Sequence, residues 1–382
     1  MKKKIIITLS IILPVISIIF VLAKNITNQD KTFYQDGVLI AMTVDGEMVT
    51  EFPDYENNDY TVDISCKNAV GKWMPIENDS DYTNGLVLEE ITGEVSCHIN
   101  FTSKTSSDLL KSIVETTGTS GNGAIVNANG YRYTGQEPNN YVWFNNEMWR
   151  IIGSIPVCTT ASCGTGSNLV KIIRNESIGG LAYDGKSSEH TGAWGNNTLY
   201  TLLNSYYYGK KDGTNTAYCY GYRATVNSKC NYTRIGINGN DYYGKMIEEV
   251  YWNTGASAVS DAGTVYGTET ATQTVKGHIG LMTASDYGYA ASSSYHSTSM
   301  NSYNTSAISL TNWLYNCGYE WTSIQDSSYT LTTHFVNYPG NVTINSATYG
   351  YAVRPVVYLD SLVYVTSGTG TIMDPYMLDL SL

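Results

Sequence analysis

The sequence YVWFNNEMWRII, at residues 141–152, decides the fold of the longer part of this chain. Its aromatic and β-branched residues suit a pleated strand, so a strand is predicted here. By the same criteria, further strands are predicted at 169–173, 278–283, 353–359 and 362–366. Together these segments predict a sheet in this part of the chain.

Helices are predicted between these strands, from apolar residues at helical spacing. The first follows Asn196 and Asn197, and its stripe consists of Leu199, Leu202, Leu203 and Tyr206. The stripe of the second consists of Ile308, Trp313, Leu314 and Cys317. A shorter helix is predicted at 241–252, and 290–305 reads as an extended loop. Helices with a mixed sheet and long loops predict an α+β domain over residues 131–378.

Residues 33–104 predict a small β module ahead of that domain. Asp45-Gly46 is a strong hairpin signal between two alternating apolar segments. Cys66 and Cys97 each lie on the apolar face of a predicted strand, as in immunoglobulin-type sandwiches. They are closer in sequence than that fold requires. The prediction is therefore a β-sandwich-like module without an assigned topology.

Residues 105–130 connect the two parts. The first half, 105–115, has a polar start and an apolar stripe, which predicts a short helix. The second half, 116–130, is rich in Gly, Asn, Ser and Thr, and predicts a linker.

Residues 1–24, MKKKIIITLSIILPVISIIFVLAK, have the pattern of a membrane-targeting segment. Lysines at 2–4 precede an uncharged stretch, 5–23, that is about long enough to cross a ~30 Å hydrocarbon core as a helix. Small residues near Ala23 would also suit a signal peptidase. A retained anchor and a cleaved signal peptide both remain open. In either case the positive-inside rule predicts that residue 25 onward lies outside the cell.

The charge of the chain argues against nucleic acid as a partner. The 382 residues carry a net charge of −12. Without the four lysines of 1–24, 18 basic residues face 34 acidic ones, a net charge of −16. Such a body repels phosphate backbones. The 33 tyrosines suit strands and surfaces, and a sugar-stacking surface is the alternative interpretation.

The seven cysteines fit an oxidising compartment. Six fall into local pairs, which predicts the disulfides Cys66–Cys97, Cys158–Cys163 and Cys219–Cys230. A zinc site from the last four is the alternative, although neither pair has the close spacing of a zinc knuckle. Cys317 has no partner and is predicted to be a small buried hydrophobic residue.

Several short motifs are candidate sites. Glu137-Pro138-Asn139 matches a calcium- and sugar-binding tripeptide of C-type lectins, but its position favours a turn. The acidic segment 77–81 and the glycine-rich segment 367–371 are likewise interpreted as turns. Arg354, within an apolar strand, is expected to pair with a buried acid. No catalytic, metal or cofactor residues are assigned.

Seven segments in combination resemble a known class of domain. They are 130–153, 170–178, 194–208, 277–290, 312–321, 349–359 and 367–378. In this order they resemble uncharacterised bacterial surface domains related to the formylglycine-generating-enzyme-like branch of the C-type-lectin fold, and 33–104 looks like a β module that precedes such domains. The catalytic members use a late cysteine pair or clustered histidines. Here Cys317 is alone and His278, His296 and His334 are scattered, so the resemblance implies the fold without the activity.

These observations predict a membrane-tethered cell-surface protein, or a secreted one if the leader is cleaved. Its C-terminal domain is expected to recognise a glycan or protein ligand through loops, without catalysis, cofactor or nucleic acid. Two alternatives stay open: an extracellular carbohydrate-active hydrolase with a carboxylate pair, and a structural protein of the cell envelope.

Overall fold

Strands predominate in the computed structural model, and a few short helices accompany them, so the prediction of an α+β protein is confirmed at that level. The structure describes residues 3–7, 32–35, 38–50, 60–74, 86–91, 95–103, 109–161, 166–186, 189–226, 229–304 and 306–380. The chain divides into two units: the first unit ends at Ser106, and the second unit is Ser107–Leu380.

The first unit contains two sheets. Its strands are β1 Lys3–Ile7, β2 Thr32–Gln35, β3 Val38–Val44, β4 Glu47–Val49, β5 Tyr60–Asn68, β6 Trp73–Met74, β7 Leu86–Ile91 and β8 Val95–Ser103. A six-stranded sheet runs in the order β2-β3-β8-β5-β6, with β4 paired to β3, and β1 pairs with β7 in a separate ribbon. In the larger sheet β3 is parallel to β8, whereas β5 is antiparallel to it.

The hairpin and one disulfide that the sequence predicts in this unit are both present. Asp45 and Gly46 have φ angles of 51° and 84°, the left-handed values that a tight turn between β3 and β4 requires. Cys66 and Cys97 lie opposite each other on β5 and β8 and form a disulfide. The bridge therefore joins neighbouring strands of one sheet, unlike the bridge between sheets of an immunoglobulin domain.

The predicted membrane segment lies mostly outside the described residues. Its described residues, Lys3–Ile7, form a strand antiparallel to Leu86–Ile91. None of the helices that the structure describes combines the length and the apolar character needed to cross a membrane.

The second unit is built around a large sheet. Its strands are β9 Gly118–Ser120, β10 Asn122–Asn127, β11 Tyr131–Glu137, β12 Tyr141–Phe144, β13 Glu147–Val157, β14 Ser167–Arg174, β15 Gly180–Ala182, β16 Ile247–Glu248, β17 Val250–Trp252, β18 Val275–Gly277, β19 Glu320–Gln325, β20 Thr332–Val336, β21 Val342–Ser346, β22 Gly350–Ala352, β23 Val356–Leu359, β24 Val363–Ser367 and β25 Tyr376–Leu380. The large sheet runs β16-β23-β14-β13-β11-β10-β9. In addition, β12 pairs with β13 and with β25, and β24 pairs with β25. A second sheet runs β15-β22-β19-β20-β21, and β17 pairs with β18.

The helices of the second unit are short. They are α1 Leu110–Val114, α2 Thr198–Leu202, α3 Tyr242–Lys245, α4 Ala262–Glu269, α5 Ala284–Ala290 and α6 Ser306–Ser309. A π-helical turn, Leu203–Tyr207, continues α2, and 3-10 turns lie at Tyr222–Ala224, Ser293–Tyr295 and Met300–Ser302. The helix predicted after Asn196 and Asn197 is thus confirmed, with the Asn197 side chain accepting the cap hydrogen bond from the Tyr200 amide.

The segment at 141–152 is a hairpin and not the single strand that the sequence predicts. Asn145 and Asn146 have φ angles of 53° and 60° and turn the chain between β12 and β13. Asparagine adopts this left-handed region more easily than most residues, so the Asn-Asn pair is the sequence feature that indicates a turn here. The predicted linker at 116–130 is also corrected, because β9 and β10 lie within it and pair with each other and β11.

Three further elements differ from the predictions. The strand predicted at 278–283 is not formed, since the amides of His278 and Ile279 donate to the Asn204 side chain. The helix predicted through 308–317 ends at Ser309. The helix predicted at 241–252 ends at Lys245 and gives way to β16 and β17.

A buried charge cluster ties α5 to the large sheet. Asp286, at the start of α5, accepts from Arg132 on β11 at 2.9 Å and from Lys171 on β14 at 2.5 Å. Burial raises the pKa of Asp286, but the charges of Lys171 and Arg132 outweigh it and lower the pKa to about 2. Glu269 on α4 lies in the same region, and its burial raises its pKa to about 7. Helix α5 is therefore fixed to the sheet by ionised groups, through Asp286.

Candidate functional site

A polar pocket of about 250 Å³ opens in the second unit. Its lining residues are Gln136, Glu137, Arg150, Asn175, Glu176, Ser309, Leu310, Asn312, Trp313, Tyr315, Asn316, Cys317 and Arg354. They come from the end of β11, from β13, from the loop after β14, from the segment 309–317 and from the residues before β23. Amide, carboxylate and guanidinium groups predominate, with two aromatic rings.

Arg150 lies buried in the pocket and is held by several groups. Its Nε donates to Asn140 Oδ1 at 2.9 Å, and its Nη2 donates to Glu137 Oε1 at 3.2 Å. The guanidinium carbon lies 4.2 Å from the ring centroid of Tyr141 and 4.6 Å from that of Trp313. Cation–π contacts of this kind favour the charged form and fix the side chain.

Arg354 is the second buried arginine of the pocket. Its Nε donates to Glu320 Oε1 at 2.6 Å, and its Nη2 donates to Glu320 Oε2 at 2.9 Å. Its Nη2 also donates to the Leu314 carbonyl at 2.7 Å. This confirms the expected pairing with a buried acid, and the bidentate geometry sets the plane of the guanidinium.

The segment 309–317 forms one wall because the sheet holds its backbone. The Trp313 amide donates to the Gly135 carbonyl at 3.0 Å, and its indole Nε1 donates to the Tyr133 carbonyl at 2.7 Å. Gly135 has a φ of 101°, and a Cβ atom there would lie 2.7 Å from Gly123 Cα. These bonds compete with helical ones, which explains why the predicted helix is not continued to Cys317.

Two carboxylates reach the rim of the pocket. Glu137, 47% exposed, accepts from the Tyr141 hydroxyl at 2.6 Å as well as from Arg150. Glu176 is exposed and accepts from the Asn175 side chain. Glu137 therefore acts as an acceptor in both of its described hydrogen bonds.

The predicted site residues are distributed over both units. Cys219 and Cys230 form a disulfide, as do Cys66 and Cys97. Cys158 is also disulfide-bonded, whereas Cys163 lies outside the described residues. Cys317 is a free thiol and is exposed at the pocket, so the prediction that it is buried is wrong.

The short motifs have different outcomes. Glu137 ends β11 and lines the pocket, and Pro138 and Asn139 lie in the connection to β12. The segment 367–371 turns the chain between β24 and β25, with Gly368 and Gly370 at positive φ. The acidic segment 77–81 lies outside the described residues.

The histidines of the second unit have separate surroundings. His278 stacks on Tyr208 at 4.2 Å, and His296 Nε2 contacts the carbonyls of Tyr289 and Ala291. His334 is buried 3.7 Å from Asp326. The described part of the chain contains no group of three or more histidine, cysteine or acidic side chains placed to hold a metal ion.

The tyrosines divide between core and surface. Several are fully buried, among them Tyr133, Tyr183, Tyr207, Tyr232 and Tyr287. Others are partly exposed along the second sheet, where the ring of Tyr351 stacks on that of Tyr319 at 5.4 Å. Core packing therefore accounts for many of them, and a smaller set remains at the surface.

The sequence alone does not reveal the pocket. Asn175, Glu176 and Asn312 come from loops whose positions depend on the tertiary fold. Arg150 offered a signal, since it interrupts the apolar segment around Trp149 and Ile151 in the same way that Arg354 interrupts its own. A charge inside an apolar strand requires a partner. That Arg150 and Arg354 reach the same pocket follows only from the order of the strands in the sheet.

No family model, no curated protein and no solved structure matches this chain in the comparisons with known proteins.

Proposed function

We propose that this protein is a binding protein of the cell surface. Its second unit holds a saccharide in the polar pocket, without catalysing a reaction. The observation that carries the proposal is the lining itself. Side-chain amides of Gln136, Asn175 and Asn316 lie beside two arginines and the rings of Trp313 and Tyr315. Planar polar groups that bind hydroxyls, together with aromatic surface, suit a sugar better than an apolar ligand.

The size of the pocket supports a small ligand group. Its volume, about 250 Å³, lies just below the ~300–1,000 Å³ range of small-molecule pockets. A pocket of this size suits one monosaccharide, or the terminal residue of a longer glycan. The proposal extends to adhesion, in which such a terminal residue belongs to a surface glycan.

Export and tethering are part of the proposal. The disulfides Cys66–Cys97 and Cys219–Cys230 support an oxidising compartment. The lysines and apolar residues of 1–24 support a membrane anchor, or a signal peptide in a secreted form. A C-type-lectin-like fold for the second unit is proposed on the resemblance alone, whereas a β-sandwich-like character for the first is proposed on its strand pattern and cysteine positions.

A hydrolase is the competing function, because Glu137 and Glu176 both reach the pocket. Glycosidases need one carboxyl group that is protonated and one that is ionised. Glu137 accepts from Arg150 and Tyr141, and Glu176 accepts from the Asn175 side chain, so both carboxylates are acceptors in their described hydrogen bonds. Binding is therefore preferred, and release of sugar from any glycan that binds would favour the hydrolase.

Blocking the pocket through Cys317 tests the proposal. The purified full-length protein is applied to a glycan array before and after its free thiol reacts with a bulky maleimide. We expect binding to at least one glycan class, and its loss after alkylation, because the adduct occupies the pocket. The Cys317→Ser variant, treated identically, is expected to keep its binding. Absence of glycan binding, or binding that alkylation leaves intact, would contradict the proposal.

A further inference from the structure

Two arginines in the pocket each keep one nitrogen without a protein partner. The hydrogen bonds of Arg150 use Nε and Nη2, and those of Arg354 also use Nε and Nη2. Among the described residues, Nη1 of either side chain has no acceptor. Neither Nη1 belongs to the fully enclosed atoms that lack a hydrogen bond, and both residues line the pocket. Both Nη1 groups are therefore available to a ligand.

The two guanidinium groups lie close enough to affect each other. Burial lowers the pKa of Arg150, and the charge of Arg354 lowers it further, whereas Tyr141 and Glu137 raise it. Arginine nevertheless stays protonated in proteins. Two like charges that face one cavity gain from an anion between them, and that gain is larger where water is partly excluded.

Both guanidinium groups are positioned before any ligand arrives. Arg150 is fixed by Asn140 and by the rings of Tyr141 and Trp313. Arg354 is fixed by Glu320 in a bidentate pair. Donors held in place lose little conformational entropy on binding, which favours a ligand group that is itself planar and rigid.

We propose that the ligand of this pocket is a saccharide bearing a carboxylate, whose oxygens accept from Nη1 of Arg150 and Nη1 of Arg354. The inference rests on the proposed function, since it names the chemistry of the sugar in the same pocket. A carboxylate matches the planar donor edge of arginine. Its single charge also suits a body with 34 acidic residues and few basic ones, from which a doubly charged phosphate is repelled more strongly.

Two matched sugars distinguish the contribution of the ligand's carboxylate to binding from that of its sugar ring. Binding of methyl β-D-glucuronide and of methyl β-D-glucoside to the full-length protein is measured by titration calorimetry. The two ligands differ in the carboxylate, and we expect the glucuronide to bind about 10- to 100-fold more tightly. High salt should narrow the difference, because a partly exposed ion pair is screened.

Two variants test the assigned atoms. Arg150→Lys removes Nη1 while it keeps the charge, and we expect it to lose most of the preference for the glucuronide. Glu137→Gln removes the carboxylate that competes for Arg150 at an exposed position, and we expect glucuronide affinity to rise about threefold to tenfold. The second variant changes a half-exposed side chain, so its result stands even if Arg150→Lys fails to fold.

The outcomes distinguish a failure of the carboxylate assignment from a failure of the proposed saccharide binding. Equal affinity for both sugars, or a Glu137→Gln variant that binds the glucuronide less tightly, would overturn the carboxylate assignment and leave the saccharide pocket in place. If neither these sugars nor any glycan on the array binds at the pocket, the proposed function fails together with the inference.

Discussion

The guanidinium carbon of Arg150 lies 4.6 Å from the centroid of the Trp313 ring. This contact joins β13 to the wall segment 309–317, and the Trp313 indole continues it to β11 through its bond to the Tyr133 carbonyl. The pocket thus depends on residues far apart in sequence that the large sheet brings together.

Trp313→Phe is expected to lower the free energy of unfolding by about 1–3 kcal/mol, because the buried Tyr133 carbonyl loses its donor and Arg150 loses the larger ring. Urea denaturation measures the change. Trp143→Phe is the matched control at a half-buried position, and it should cost under about 1 kcal/mol. An equal decrease in the free energy of unfolding in the two variants would show that the Trp313 contacts do not stabilise the protein more than an ordinary half-buried tryptophan.

Glu320→Gln is expected to lower the free energy of unfolding by about 3–5 kcal/mol, since it leaves the buried charge of Arg354 without compensation. Glu249→Gln provides the control, because Glu249 pairs with Lys276 at the surface. The side chain of Glu249 is 41% exposed and that of Lys276 is 43% exposed. Exposed pairs contribute about 0–1 kcal/mol. Chemical denaturation of both variants decides the matter, and a small loss for Glu320→Gln would indicate that Arg354 is already solvated.

Glu269 should make the protein less stable as the pH rises toward neutrality. Its pKa is about 7 in the folded state against an ordinary value of 4.5. The folded state therefore binds the proton more tightly between these values. The contribution is complete below pH 4.5 and is lost as the pH rises through 7, and it amounts to about 3 kcal/mol.

The comparison of wild type with Glu269→Gln isolates this group from the histidines. We expect the difference in unfolding free energy between pH 5 and pH 8 to be smaller in the variant by about 2–3 kcal/mol, because part of the contribution is already lost at pH 5. Glu176→Gln, which removes a carboxylate from an exposed position, is the control for the substitution itself. An identical pH profile for Glu269→Gln and wild type would contradict the assigned burial effect.

One thiol should react in the folded, unreduced protein. The structure gives Cys317 as a free, exposed cysteine and disulfides at Cys66–Cys97 and Cys219–Cys230. Mass spectrometry after alkylation without reductant is expected to show a single adduct on Cys317. Labelling of all seven cysteines would refute both the disulfide pairing and the exported location.

Local signals in the sequence predicted local structure well. Asp45-Gly46 forms its hairpin, Asn197 caps its helix, and Arg354 finds a buried acid. Each of these follows from the chemistry of one residue and its neighbours. The acid in question, Glu320, could not be named from the sequence, because the pair depends on the approach of β19 to the residues before β23.

Long-range hydrogen bonds account for the errors. The apolar stripe through Trp313 and Cys317 has helical spacing, yet the Trp313 amide donates to Gly135 instead of within a helix. Likewise Asn204 accepts from the amides of His278 and Ile279, where the sequence predicts a strand. Spacing does not reveal such competition, so the pocket wall and the exposure of Cys317 followed from the tertiary structure alone.

Protection of Cys317 by a sugar is the most direct test of the pocket as a site for an acidic saccharide. The rate at which N-ethylmaleimide modifies Cys317 in the full-length protein is measured alone, with methyl β-D-glucuronide and with methyl β-D-glucoside at equal concentration. The glucuronide is predicted to slow the reaction markedly, and the glucoside to do so much less, because the occupied pocket covers the thiol. A rate that neither sugar changes would contradict the account.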